Sequence, residues 1–242
     1  MLIFAGIFSF GNINNRTMTY REIVYMILDE IKSVSDDAFF TEDHVIFLAG
    51  KLRTFLLKQR YSDVKKQIPE SNYQTICLDL IEVPAISGEP CEGGSYLRSK
   101  EKIPFLMKIG NPMVYPVDYY QGEITYVSRE RMRYIGYNKY LQNIIYASIG
   151  PDNYLYFKSN NPQYLYLKKV KMTGVFENSE EASKLQCEGD NECDILDRTF
   201  PIEESLVSPM IELVVKELLS AEYIKGDEKN NAKDDLPDEN RK

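Results

Sequence analysis

Thr19-Tyr-Arg-Glu22-Ile23-Val-Tyr-Met26-Ile27-Leu-Asp-Glu-Ile31-Lys-Ser-Val34 is the stretch on which the reading of the fold turns. Its apolar positions Ile23, Met26, Ile27, Ile31 and Val34 recur at steps of three and four, the spacing that lines one face of an α-helix. Thr19 and Glu22 stand ahead of that run, where each side chain can reach the other's backbone N–H and close a capping box. A helix is therefore expected from Thr19 to the polar cluster at Ser33–Asp37. A second helix opens at a Thr41 cap and runs to about Gln59. Val45, Leu48, Ala49, Leu52, Phe55 and Leu56 are expected on its apolar face, with Lys51, Arg53, Lys58 and Arg60 mostly opposite or in the last turn, where they complement the dipole. Two amphipathic helices in a hairpin cannot bury both stripes alone, so a third element is required.

The far end of the chain supplies a candidate. Phe200-Pro201-Ile202-Glu203-Glu204-Ser205 leads to Ser208-Pro209, which reads as an N-cap followed by proline at the first helical position. Met210, Ile211, Val214, Val215, Leu218 and Leu219 then form an apolar stripe to about Tyr223. The expected fold class is α+β: a helical bundle formed by the N-terminal helical hairpin and the C-terminal helix, with an inserted small antiparallel β region. Residues 18–68 plus 200–224 make the helical core, 69–199 the Tyr-rich β insertion, and 225–242 a charged tail with too few apolar residues to offset its ordering entropy.

In the middle segment Ile76, Leu78 and Leu80 alternate with Thr75, Cys77 and Asp79, a period of two that predicts a strand between Pro69 and Pro84. Prolines and glycines from Pro84 to Gly94 predict a loop, and Pro104, Pro112 and Pro116 break the next stretch into short edge-like pieces. Ile124–Val127 is strand-like. Tyr140–Ile149 and Tyr154–Phe157 read as two strands around Gly150-Pro151-Asp152-Asn153, and Tyr164–Leu167 with Val170–Val175 continues the meander.

The chain has 242 residues, 37 acids against 29 bases and a net charge of −8, which disfavours a general nucleic-acid binder that works by counterion release. Met1–Phe10 is apolar but has no basic n-region and is too short to cross a membrane. Because Met18 precedes the capping box, residues 1–17 are expected to be a dispensable leader or an upstream translation artefact. The single histidine, His44, falls in the first turn of the second helix and reads as a solvated residue, which removes His-based triads and multi-His zinc sites. Cys77, Cys91, Cys187 and Cys193 are read as free thiols. The five residues between Cys187 and Cys193 are looser spacing than a zinc knuckle uses.

Nucleotide-binding glycine loops, a Gly-x-Ser-x-Gly elbow and a His-Glu-x-x-His helix are absent from the sequence. The pairs Asp36/Asp37, Glu42/Asp43 and Glu203/Glu204 read as solvated acids at helix starts rather than catalytic carboxylates. No catalytic, cofactor-binding or metal-binding residue is assigned, and no cofactor. Eighteen tyrosines and no tryptophan are distinctive. Most of the tyrosines fit ordinary strand composition, and some suit subunit contacts. Arg129, Arg131, Arg133 and Lys139 form a basic cluster suited to an acidic neighbouring subunit or to phosphate.

Met18-Thr-Tyr-Arg-Glu-Ile-Val-Tyr-Met-Ile-Leu-Asp-Glu-Ile-Lys32, a Ser-Asp-Asp loop and Thr41-Glu-Asp-His-Val-Ile-Phe-Leu48 resemble the opening of head-to-tail adaptor (connector) proteins of tailed bacteriophages. Phe200-Pro-Ile-Glu-Glu-Ser-Leu-Val-Ser-Pro-Met-Ile-Glu-Leu-Val-Val-Lys-Glu-Leu-Leu219 resembles the last helix of that class, and the whole chain is most similar to a portal-vertex ring protein of crAss-like phages. The resemblance covers about 75 residues in motif-like form, and the Tyr-rich insertion departs from the nearly all-helical small adaptors. It implies a non-enzymatic virion component. Copies would form a ring, twelvefold, whose partners are the portal protein, other copies of the chain and adjacent tail or ring proteins. DNA would pass without specific binding, and no membrane is involved. The alternative is a phage or bacterial surface-binding module whose Tyr-rich sheet recognises carbohydrate or protein.

Overall fold

A computed structural model describes residues 18–34, 39–63, 66–84, 95–117, 124–132, 134–135, 143–187 and 194–223. The expected leader (1–17), the charged tail (225–242), Asp36/Asp37, Cys91, Cys193, Arg133 and Lys139 lie outside the described residues.

Helix α1 spans Tyr20–Val34 and α2 spans Glu42–Arg60. The capping box ahead of α1 forms as expected: Thr19 N–H donates to Glu22 Oε2 at 3.0 Å, and Glu22 N–H donates to Thr19 Oγ1 at 3.2 Å. Thr41 occupies the N-cap of α2 in extended backbone but makes no side-chain cap bond. Its carbonyl instead accepts from His44 and Val45. Helix α5 spans Glu204–Tyr223, so it begins a turn before the expected Ser208-Pro209 start and carries Pro209 inside it. Pro209 lacks an N–H, which deprives the carbonyl of Ser205 of its helical donor. Both residues are exposed, so the break in the ladder lies on the solvent side of the helix.

The three helices pack on one another around Ile23, Val24, Ile27, Val45, Ala49, Leu57, Met210, Val214 and Leu218. The entry to α1 and the lead-in to α5 meet here. Thr19 bridges Thr199, and the ring of Tyr20 meets Phe200 edge-on with centroids 4.9 Å apart.

Between α2 and α5 the chain builds seven strands: β1 (Gln74–Pro84), β2 (Ser95–Ser99), β3 (Met113–Pro116), β4 (Thr125–Tyr126), β5 (Tyr146–Ile149), β6 (Leu155–Lys158) and β7 (Lys169–Gly174). They form one sheet in the order β3-β7-β1-β2-β6-β5-β4. Its two ends approach each other. Val114 bridges Ile124, with the Ile124 N–H donating to the Val114 carbonyl at 3.0 Å, so the sheet curls into a nearly closed barrel. Ile76, Leu78, Leu97, Val114, Ala147, Leu155, Phe157, Val170 and Met172 point inward by simple alternation and fill it.

The expected helical bundle with a small antiparallel insertion is therefore incorrect. The molecule is a mixed α+β fold in which the sheet is a full second layer with its own core. The bridge between its two ends covers part of both sheet edges, which open strands would leave as pairing hazards. Within the sheet, β4 pairs with β5 in parallel, not antiparallel. Tyr164–Leu167 is not a strand. Pro162–Tyr166 forms a 3-10 helix, because Asn161 caps it by accepting from the N–H of Gln163 and Pro162 suits its first turn. Of the expected Tyr140–Ile149 strand, the part from Tyr146 onward is strand, and 140–142 lie outside the described residues.

The β5–β6 hairpin turns through Gly150-Pro151-Asp152-Asn153, with Asn153 in the left-handed region at φ 63°. Short helices α3 (Arg129–Met132) and α4 (Ser179–Lys184), with 3-10 turns at Glu70–Asn72 and Ile195–Asp197, complete the described fold. Cys77 on β1 and Cys187 just beyond α4 form a disulfide across 110 residues, which corrects the free-thiol expectation for both. The outward-facing position of Cys77 in the alternation, opposite the inward Ile76 and Leu78, is what lets it reach α4.

Candidate functional site

Where the helical layer meets the barrel, the sequence places an arginine in the α2 register that faces inward. Arg53 is 0% exposed. Its Nε donates to the carbonyl of Pro201 at 2.5 Å, one terminal nitrogen to the carbonyl of Phe176 at 3.0 Å and the other to that of Asn72 at 3.3 Å. One planar fork thus ties together the lead-in to α5, the exit of β7 and the turn before β1. Burial lowers the guanidinium pKa to about 10, which keeps it charged at neutral pH. Burial also pushes the nearby Tyr20 phenol up to about 12.

Glu203 belongs to the same junction. The expectation of a solvated acid at a helix start is wrong for it, since it is 7% exposed. Its carboxylate accepts from the Tyr61 hydroxyl at 2.6 Å and from Ser205 Oγ at 3.0 Å, and it pairs with Arg60 Nε at 2.8 Å. Burial and that bond to Glu203 push the Tyr61 hydroxyl up to about 12. The Glu203 N–H donates to Asn72 Oδ1 at 2.9 Å. Arg53 and Glu203 are satisfied by these neighbours and by backbone, although the Tyr20 hydroxyl and the Asn72 amide nitrogen are buried without a hydrogen-bond partner, so the chemistry is that of a joint. Gly174 packs closely against Leu106: a Cβ there would stand 2.6 Å from Leu106 Cδ1 and would push that side chain aside.

The remaining sequence candidates lie apart from this joint. Glu42, Asp43 and His44 are exposed in the first turn of α2, and the His44 ring stacks on Phe40 at 6.4 Å. Arg129 and Arg131 sit on α3, with Arg129 at the rim of a cavity of about 220 Å³ lined by Tyr96, Met132, Ser148, Gly150 and Tyr156. The Tyr156 hydroxyl bonds to Asp152, which together with burial pushes its pKa up to about 12. The tyrosines of the sheet are divided in fate: Tyr164 is buried, Tyr126, Tyr146, Tyr154 and Tyr156 are half-buried, and Tyr115, Tyr134 and Tyr166 are exposed. Tyr119, Tyr120, Tyr137 and Tyr140 lie outside the described residues. Among the described residues no three His, Cys, Asp or Glu side chains converge on a point that would hold a metal ion. None of the described helices is long and apolar enough to cross a membrane.

What the surface does carry is large apolar side chains. Phe47 and Phe55 on α2 are 57% and 55% exposed, Tyr25 and Met26 stand out from α1, and Phe105 and the outward row Met113, Tyr115 and Val117 of the β3 strand and its exit are also exposed. The helical stripe puts Phe55 in the core and Arg53 on the solvent side; the structure reverses the two. A period-3.6 face is wide enough to admit either assignment, and the packing against the barrel decides it.

A patchwork of apolar surface such as the described residues carry is how an assembly subunit looks before it assembles. The comparisons with known proteins agree with that chemistry. The family model described as phage tail ring protein 2 matches residues 22–236. A relative named "Ring protein 2", from Bacteroides phage crAss001, is 67% identical over 223 residues, covering 91% of this chain and 99% of that protein. The chain is thus a structural component of a phage virion, and it belongs to the phage tail ring protein 2 family of crAss-like phages.

Proposed function

We propose that copies of this chain close into a ring at the portal vertex, docking to the portal protein and connecting it to the tail, with the DNA channel running through the ring. The observation that carries the reading is the pair of phenylalanines left in water on α2, together with the apolar outer side of α1. A lone subunit gains nothing from such exposure, whereas a subunit that meets neighbours recovers it as buried area. The relative's name, "Ring protein 2", supports self-assembly. The net charge of −8 supports a lumen through which DNA passes without adhering.

In this reading residues 18–68 with 200–224 form the portal-facing part and 69–199 the part that reaches the next tail layer. Twelve copies would match a twelvefold portal. Light scattering of the purified chain, alone and with the portal protein, tests the proposal. A discrete ring mass, or a ring formed on the portal, is the expected result. A stable monomer indifferent to the portal at all concentrations would overturn it.

A further inference from the structure

We propose that neighbouring copies join head to tail through two named surfaces, the outer face of α2 in one copy seated on the outer face of α1 in the next. The inference rests on the ring reading above and specifies its contact.

On α2, Phe47, Lys51 and Phe55 come at four-residue steps and form one outward stripe, opposite the buried Val45, Ala49 and Leu56. The Lys51 ammonium lies over the Phe47 ring, 5.3 Å from its centroid, so the stripe is apolar with a positive charge at its middle. Lys58 continues the same face but already pairs with Glu177 at 2.7 Å, and Lys51 meets no carboxylate among the described residues. On α1 the outward face carries Tyr25 and Met26 beside Asp29 and Glu30, all exposed, opposite the buried Ile23, Ile27 and Ile31. That face is apolar with a net negative charge, since Asp29 and Glu30 outnumber the exposed Lys32 on the same side, and neither carboxylate forms an ion pair among the described residues.

The two faces are therefore alike in apolar content and opposite in sign. Each helix buries its other side against α5 and its partner helix, so the faces look outward in different directions and cannot satisfy each other within one copy. Pairing either face with itself about a two-fold axis would set Lys51 against Lys51, or Asp29 and Glu30 against their own copies. Pairing α2 with α1 sets Lys51 between the acids and covers Phe47 and Phe55 with Tyr25 and Met26. A contact between unlike patches is heterologous, the kind that repeats around a ring. On a chain of net charge −8, one attractive pair of patches also selects that register against others.

The experiment uses the full chain under conditions where the wild type forms rings. Lys51→Glu alone, and Asp29→Lys with Glu30→Lys alone, should each raise the concentration needed for assembly at least ~10-fold, because each brings like charges together. An equimolar mixture of the two variants should assemble again in alternating rings, since every junction then pairs opposite charges. Circular dichroism and unfolding curves matching the wild type would establish that each variant is folded, and a variant failing that control is replaced by the neutral Lys51→Gln or by Asp29→Asn with Glu30→Gln, which should weaken assembly less. Rings formed by the charge-reversed variants as readily as by the wild type would overturn these surfaces while leaving the ring reading intact. A mixture that regains nothing would do the same, as would variants that form normal rings but lose the portal. A wild type that never forms a ring, even on the portal, would instead overturn the ring reading itself.

Discussion

The helical layer and the barrel bury their apolar residues by different means, and the difference separates what holds this subunit together from what it offers to others. In the barrel, alternation sends one side chain in two to a closed interior, and strands far apart in sequence complete it: β1 takes β7 as one neighbour, with Thr75 opposite Thr173 and their hydroxyls 2.8 Å apart. In the helical layer each helix is defined locally by caps and stripes, and its apolar residues spill past the inward face onto the outside at Tyr25, Met26, Phe47 and Phe55. A nearly closed sheet has little edge left to share. A three-helix layer has spare faces. Assembly surface therefore falls naturally on the helices, while Arg53 ties the two regions together through three backbone carbonyls.

That comparison breaks first at Arg53. Replacing it by Ala orphans three carbonyls at the seam and leaves a cavity, at a cost of about 3–5 kcal/mol. Chemical denaturation should then resolve two transitions, helical layer and barrel, where the wild type shows one. Lys at this position should recover little, since an ammonium lacks the flat fork that reaches all three acceptors. A single, barely shifted transition would mean that the layers are joined by apolar contact alone.

The disulfide sharpens the contrast from the other side. Cys77→Ser, or reduction of the wild type, removes a bridge across 110 residues that pins β1 to the end of α4. A loss of about 2–4 kcal/mol is expected in the single unfolding transition. Calorimetry with and without reductant checks it, and equal stability in both would show that the sheet holds α4 unaided.

The smallest effect belongs to the helical layer's rim. Arg21 donates to Asp197 at 2.7 Å and to Asp194 at 3.0 Å, and the Arg21 bond holds the Asp197 carboxyl below its ordinary range. A depressed folded-state pKa gives stability that is present above the unfolded carboxylate value and is lost as pH falls through the folded one. Asp197→Asn should therefore leave neutral-pH stability nearly unchanged and flatten the acid limb of the unfolding curve slightly. Both groups are solvent-exposed, which screens the pair. A large loss at pH 7 would contradict that picture.

Much of the helical layer could be read from the chain because its signals lie within a few residues of one another. The Thr19/Glu22 box and the 3.6-residue stripe placed α1 and α2 to within about a residue. The same local reading misplaced the start of α5. Ser208-Pro209 is a good helix opening in isolation, but the buried Glu203 holds the chain against Tyr61 and Arg60, and helix begins directly after it. The Tyr-Leu-Tyr-Leu run at 164–167 alternates like a strand yet is wound into a 3-10 turn by Asn161 and Pro162, which stand just ahead of it. Arg53 and Glu203 left no mark in the sequence, because buried and solvated charges on a helix are spelled alike.

The order of the chain determined the two early helices, the late stripe, the inward alternation of β1 and the likeness to phage ring proteins. Each depends on neighbours in sequence, where little chain entropy opposes contact. Tertiary structure alone decided that the sheet closes at Val114 and Ile124, that Cys77 finds Cys187, and which flank of α2 is buried. Those outcomes join residues from ten to more than a hundred positions apart, and they arise only when two cores pack against each other with the buried charge at the seam bonded to backbone.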